Sequence, residues 1–294
     1  MADFLAFFTL LCYTFFKNPA AFPWASRPSQ RTSAGAVTMS NMKMEEKSMS
    51  SYLLECCVDS VESAVNAAQG GADRLELCSG LVIGGITPTP ALYEQIRRHT
   101  GIPVHILVRP RFGDFLYSRE EVSVMEGDIR AFRRAGAQGV VIGCLTADGS
   151  LDLEAMKRLI DAADGMSITL HRAFDMCRDP FEVLKQAKEL GVHTILTSGQ
   201  ADTCVHGISL LNELTRLAGS SLTILAGAGI NEEAVRILLQ RTALTAFHMS
   251  GKKILESSMR FRNPNVSMGL PGLSEYEIWR TDPESIRAVR RLLQ

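Results

Sequence analysis

Two hydrophobic periods alternate along most of this chain. Short apolar runs, in which every second side chain shares a face, give way to longer segments whose apolar positions recur every three or four residues. From residue 51 onward, runs at 52–58, 74–78, 104–108, 139–143, 167–171, 194–196, 222–226 and 245–248 predict strands. Segments at 60–69, 90–99, 119–134, 153–162, 180–189, 208–217, 232–240 and 283–293 predict helices. Ser60, Ser118, Asp179 and Asn231 stand at helix starts, and Gly70, Gly136, Gly191 and Gly219 stand near helix ends. Eight strand–helix alternations over 51–294 predict an α/β fold, a single closed (β/α)8 barrel of the TIM type. An open doubly wound sheet is the alternative, but Asp59-Ser60-Val61 follows the first strand where that fold carries Gly-x-Gly-x-x-Gly. Residues 261–282, rich in Asn, Pro, Gly and Ser, read as a long irregular segment that covers the barrel mouth or a partner subunit.

The first 50 residues depart from this pattern. The apolar block at 4–16 is short for a membrane span, and Asp3 stands where a leader carries positive charge. Residues 18–44 contain basic and hydroxyl residues but no acid. Residues 1–50 therefore read as a disordered extension or a targeting leader, separate from the barrel at 51–294.

In such barrels chemistry collects at the C-terminal strand ends. Those ends carry Glu55 and Cys57, Glu76 and Cys78, Arg109 and Arg111, His171 with Arg172, and His248 with Ser250. The i, i+2 spacing puts each strand-end pair on one side, and burying unpaired Glu or Arg under the helices costs several kcal/mol, so the polar set is expected to face the barrel interior. If the first two strands end level, about 4.8 Å apart, Cys57 and Cys78 become neighbours, and paired thiolates select soft ions such as Cu(I). Cys56, one residue out of step, is expected to serve packing. Arg109 and Arg111 are candidate grips for a carboxylate or phosphate, with Glu55, Glu76 or His171 exchanging protons. Gly227 and Gly229, before the seventh crossover helix, and Ser250 after the eighth strand resemble the two halves of a barrel phosphate site. The competing interpretation is a structural ion-pair network of Glu55, Glu76, Arg109 and Arg172 that closes the barrel.

Composition narrows the classes. With 46% hydrophobic residues, 21% charged and a formal net charge of −1, the chain is an ordinary globular sequence without the field that would recruit nucleic acid or an acidic membrane surface. Seven cysteines without a Cys-x-x-Cys pair argue against a disulfide framework and for a reducing compartment.

Several blocks resemble the CutC copper homeostasis family. These are residues 55–64 (ECCVDSVESA), 70–78 (GGADRLELC), Arg109-Pro110-Arg111, 113–118 (GDFLYS), His171-Arg172-Ala173-Phe174-Asp175, Leu196-Thr197-Ser198-Gly199 and Phe247-His248. The resemblance implies a (β/α)8 barrel in the cytoplasm and nucleus, often a homotetramer, that binds Cu(I) through Cys57 and Cys78. No established reaction comes with it. Cys56 and Ala228 depart from the family's usual residues, an aliphatic side chain and a glycine. The expectation is a copper-binding protein; the alternative is a barrel enzyme acting on a small anionic or phosphorylated substrate through the Glu/Arg/His pocket.

Overall fold

The computed structural model describes residues 52–269 and 272–294; the expectations for residues 1–50 lie outside the described residues. Eight parallel strands close into a barrel in sequence order: β1 (Leu53–Val58), β2 (Arg74–Leu77), β3 (Val104–Leu107), β4 (Gly139–Ile142), β5 (Ser167–Leu170), β6 (Thr194–Thr197), β7 (Thr223–Ala226) and β8 (Ala246–Met249). β8 returns to pair with β1, Leu53 opposite Ala246 and Glu55 opposite His248. The helices between them are α1 (Val61–Gly70), α2 (Pro90–His99), α3 (Arg119–Arg134), α4 (Leu153–Ala163), α5 (Pro180–Glu189), α6 (Ile208–Ala218) and α7 (Glu232–Arg241), with α8 (Pro283–Leu292) closing the ring.

Local chemistry explains the boundaries. Ser60 opens α1 by accepting from the Ser63 amide, and Gly71, at φ +94°, ends it in the left-handed conformation that glycine tolerates. α3 carries a full capping box, Ser118 accepting from the Glu121 amide while Glu121 accepts from the Ser118 amide. Thr89, Asp179 and Asp282 each cap a helix whose first residue is proline, where the missing N–H is no loss.

The alternation along each strand sorts side chains between two compartments. Leu54, Cys56, Val58, Leu75, Leu77, Ile106, Val140 and Ile142 belong to the large core shared by strands and helices. Cys56 thus packs under the helices, as its position one residue out of step suggested. Inside the barrel, Cys78, Leu107 and Val141 form one small apolar group, and Leu53, Leu196, Leu225 and Ala246 form another. Fully burying each Leu or Ile stabilises by roughly 1.5–3 kcal/mol. Between first and last helices, Gly70 leaves no room for a Cβ, which would meet Ile286 at 2.5 Å, and Arg290 holds Asp73 through two hydrogen bonds of 2.9 and 3.0 Å.

One element was not foreseen. Inside and beside the segment expected to be irregular, β9 (Lys252–Glu256) and β10 (Glu277–Thr281) form a separate antiparallel pair. Lys252 lies 4.2 Å from the Trp279 ring centroid. β9 is exposed along its length, so the two-sided burial that marks a barrel strand in sequence is missing there.

Candidate metal centre and its cavity

Strand register decides which side chains meet at the mouth. Cys57 stands opposite Glu76 on β2, while Glu55 stands opposite His248 on β8. The level strand ends that would set Cys57 beside Cys78 are therefore not formed: Cys78 lies two residues beyond the partner of Cys57. The cause is the stagger that closure imposes on a barrel, which shifts each strand along its neighbour. Cys78 turns its thiol to the Val58 carbonyl at 3.6 Å and packs with Leu107 and Val141. Burial first, then the nearby Cys57 and Glu76, push that thiol well above the ordinary cysteine value.

What the register assembles instead is a mixed donor set. One potential ligand atom each from Cys57, Glu76 and His248 lies within 4.8 Å of the other two. His248 gives its Nδ1 to the Glu55 carboxylate at 2.8 Å, leaving Nε2 turned toward Glu76 at 3.6 Å. The second Glu55 oxygen accepts from Arg74 Nε at 2.5 Å. Glu55 is 0% exposed and does not line the cavity. It holds His248 rather than reaching a ligand, and its cation is Arg74, not Arg109 as the barrel-closing network required. Arg74 was readable from the rule already applied: it sits two residues before Glu76, on the same face.

The protonation states follow from this packing. Burial alone would raise Glu55, but the His248 hydrogen bond and the charges of Arg74 and His248 outweigh it and bring the carboxyl to about 2. Glu76 is also buried, and the Glu55 charge adds to that; His248 and Arg74 offset only part, so its pKa rises to about 7. For His248, burial opposes the charge, yet Cys57, Glu76 and Glu55 together raise it well above the ordinary histidine value. The packing thus favours an imidazolium at His248, held by the Glu55 carboxylate and facing Glu76 and the Cys57 sulfur.

A cavity of about 130 Å³ opens beside this set. Its opposite side is formed by Arg109, His171 and Arg172, with Phe115, Leu107 and Leu196 supplying apolar wall. Arg109, 8% exposed, donates from Nη1 to Gly85 O at 3.1 Å and from Nη2 to Gly113 O at 2.7 Å, with its guanidinium 5.0 Å from the Phe115 ring centroid. His171 accepts at Nδ1 from the Ala173 amide at 3.1 Å, so the neutral ring carries its proton on Nε2. Burial and the Arg109 charge lower its pKa to about 3, which keeps it neutral. Gly143 makes room for that ring, since a Cβ there would come within 2.6 Å of it. Arg172 is held by Asp175 at 2.7 Å and by Ser198 at 3.2 Å.

Three expectations are corrected. Arg111 is not in the cavity: the strand has ended, the two-residue alternation no longer applies, and its guanidinium pins the following loop through Glu121 at 2.7 Å and Leu116 O at 2.8 Å. Gly227 cannot offer its amide to a phosphate, because that amide donates to Thr197 O at 3.0 Å. The depression beside α7 is lined from Ile230 onward, without Gly229, and Asn231 already caps α7 through the Ala234 amide. Ser250 lines a separate depression with Asn231 and Lys252, away from the cavity between Cys57 and Arg109. Phe115 and Asp175, which position the cavity's cations, stood inside sequence blocks but carried no periodic signal of their own.

The sequence pattern of the CutC family matches residues 52–253. The chain belongs to the CutC family. Its relatives include a family protein CutC of Histophilus somni, 43% identical over 82% of this chain and 99% of its own length. A copper homeostasis protein cutC homolog of Homo sapiens is 41% identical over 82% of this chain and 89% of its own. Among solved structures, the CutC copper homeostasis protein of Streptococcus agalactiae superposes with a TM-score of 0.64 at 28% identity, covering 68% of this chain and 98% of that one. A thiamine phosphate pyrophosphorylase from Pyrococcus furiosus, at TM-score 0.51 and 14% identity, shares the barrel fold alone. Among the described residues no helix is long and apolar enough to cross a membrane.

Proposed function

We propose that this chain binds Cu(I) at the barrel mouth as its cargo, with Cys57 as the thiolate donor, His248 Nε2 as the second donor and Glu76 completing the set. Family membership supports a role in copper homeostasis. The observation that carries the reading is the convergence of those three ligand atoms within 4.8 Å, with Glu55 holding the far nitrogen of His248. A carboxylate on the other ring nitrogen is the arrangement that fixes a histidine's tautomer and orientation toward a metal. Thiolate and imidazole suit a soft ion; the carboxylate is the harder member and the most dispensable. Cys78 joins only if its thiol leaves the Val58 carbonyl and loses its proton. In this reading the protein works in a reducing compartment, cytosol or nucleus, as a homo-oligomer. All six cysteines among the described residues are free, in keeping with such a compartment.

Binding must displace the His248 proton, so Cu(I) affinity rises with pH. The test is an anaerobic Cu(I) competition titration of the full chain beside Cys57→Ser, Cys78→Ser and Glu76→Gln. Cys57→Ser is expected to lower affinity by at least about 100-fold, and Glu76→Gln by about tenfold or less. Binding that survives Cys57→Ser unchanged would remove the proposal, and a loss confined to Cys78→Ser would move the thiolate to that residue.

A further inference from the structure

The two sides of the mouth cavity differ in how their charges are paired. On the Cys57 side, Glu55 has Arg74, whose Nη2 is left without a partner, and His248 has Glu55 and Glu76. On the other side, Arg109 makes no salt bridge to any acid of the described residues; its partners are the carbonyls of Gly84, Gly85 and Gly113. Its Nε–H has no hydrogen-bond partner. The Nε2–H of His171 also has none, although the residue is 4% exposed.

Burying a cation without a counter-ion is costly, and a buried donor left unmade forfeits its full desolvation penalty. Two such donors on residues lining one small cavity call for an acceptor in it. The charge count gives its sign. Arg74 is matched by Glu55, His248 by Glu76 and Arg172 by Asp175, so Arg109 is the cation left over. The cavity's volume, about 130 Å³, is close to the ~150 Å³ that houses benzene, so the part of an occupant seated in it is small. Phe115, Leu107 and Leu196 line it beside the donors, so part of the occupant is apolar.

We infer that the mouth cavity binds a small organic monoanion, a short-chain carboxylate, held by the unmatched charge of Arg109 beside the His171 ring. Phe115 sets the two donors apart, its ring centroid 4.8 Å from that of His171 and 5.0 Å from the Arg109 guanidinium carbon. Inorganic phosphate fits less well, because a second negative charge would meet no second free cation among the cavity's described residues. This site stands on donors that the copper set does not use, and it is independent of the copper proposal.

The test uses the metal-free full chain, titrated calorimetrically with acetate, glycolate and inorganic phosphate at low chloride. Acetate or glycolate is expected to bind with a Kd of about 1 mM or lower, and phosphate more weakly. Arg109→Met removes the charge; His171→Phe keeps a ring beside Phe115 and removes only the donor. Each is expected to weaken carboxylate binding by about tenfold or more, the loss of one charge-assisted or buried hydrogen bond. Thermal melts identify any variant that fails to fold, in which case the other decides. No carboxylate binding to the parent chain, phosphate binding more tightly than acetate, or equal affinity in a folded donor variant would each overturn the inference.

Discussion

The arc of β8, β1 and β2 and the arc of β3 to β5 face each other across one small cavity, and they solve the same problem in opposite ways. Both carry buried ionisable side chains at strand ends. The first neutralises them internally: Arg74, Glu55, His248 and Glu76 form a chain of alternating charge. The second keeps Arg109 against backbone carbonyls and an aromatic ring, with no ion-pair partner among the described residues. Charge that is satisfied from within stabilises the fold and can exchange a proton for a metal. Charge that is satisfied only by dipoles stays available to a ligand. Adjacent stretches of one barrel rim can therefore be specialised, one for holding itself together and one for holding something else.

The comparison breaks most readily at Glu55. Glu55→Gln leaves Arg74 and His248 buried without their carboxylate, and the loss of one partner of a buried pair is expected to cost about 3 kcal/mol or more in urea unfolding at neutral pH. The pH dependence follows the same residue. Its folded pKa, about 2, lies below the ordinary 4.5, so its contribution is fully present above about pH 4.5 and is lost as pH falls toward 2. Urea midpoints of the parent chain should drop across that window, and the drop should be smaller in Glu55→Gln. Equal drops would mean that the first arc does not carry the acid limb.

On the opposite arc, Gly143→Ala sharpens the contrast. The new Cβ would stand 2.6 Å from the His171 ring and 2.9 Å from the Ala173 Cβ, so the ring must move, at an expected cost of about 1–3 kcal/mol. Fluorescence-monitored unfolding measures it. A neutral result would show that His171 is free to shift and that its donor is not fixed.

The smallest effect lies between the arcs, after β7. Ala228 adopts φ +69°, where a side chain is strained and glycine is not. Ala228→Gly is expected to stabilise by roughly 0.5 kcal/mol, less than the strain itself because glycine has more unfolded-state entropy to lose. A thermal melt that moved downward would place the strain elsewhere.

The barrel was legible in the sequence because alternation and helical period are local properties, and buried parallel strands announce themselves as apolar runs. The starts of Arg119–Arg134 and Pro180–Glu189 fall where Ser118 and Asp179 mark them in the sequence. The level of residues across strands is not local. Cys57 and Cys78 each end an apolar run in the same way, yet closure sets Cys57 opposite Glu76, and no pattern within either strand records that shift. Arg111 departs for a related reason: period two holds only as far as β3 does, and the backbone has turned before Arg111 is reached. The β9–β10 pair was missed because its exposed face carries no burial signal.

Arg109 has one more consequence, for motion. Its guanidinium ties the carbonyls of Gly84 and Gly85, in the connection after β2, to that of Gly113, in the connection after β3, and its own backbone joins Thr87 through bonds of 2.9 and 3.0 Å. Two connections that would otherwise breathe separately are latched at a single side chain. Their amides should exchange hydrogen at a common rate, set by release of that one latch, and an occupant gripping Arg109 would slow both loops at once.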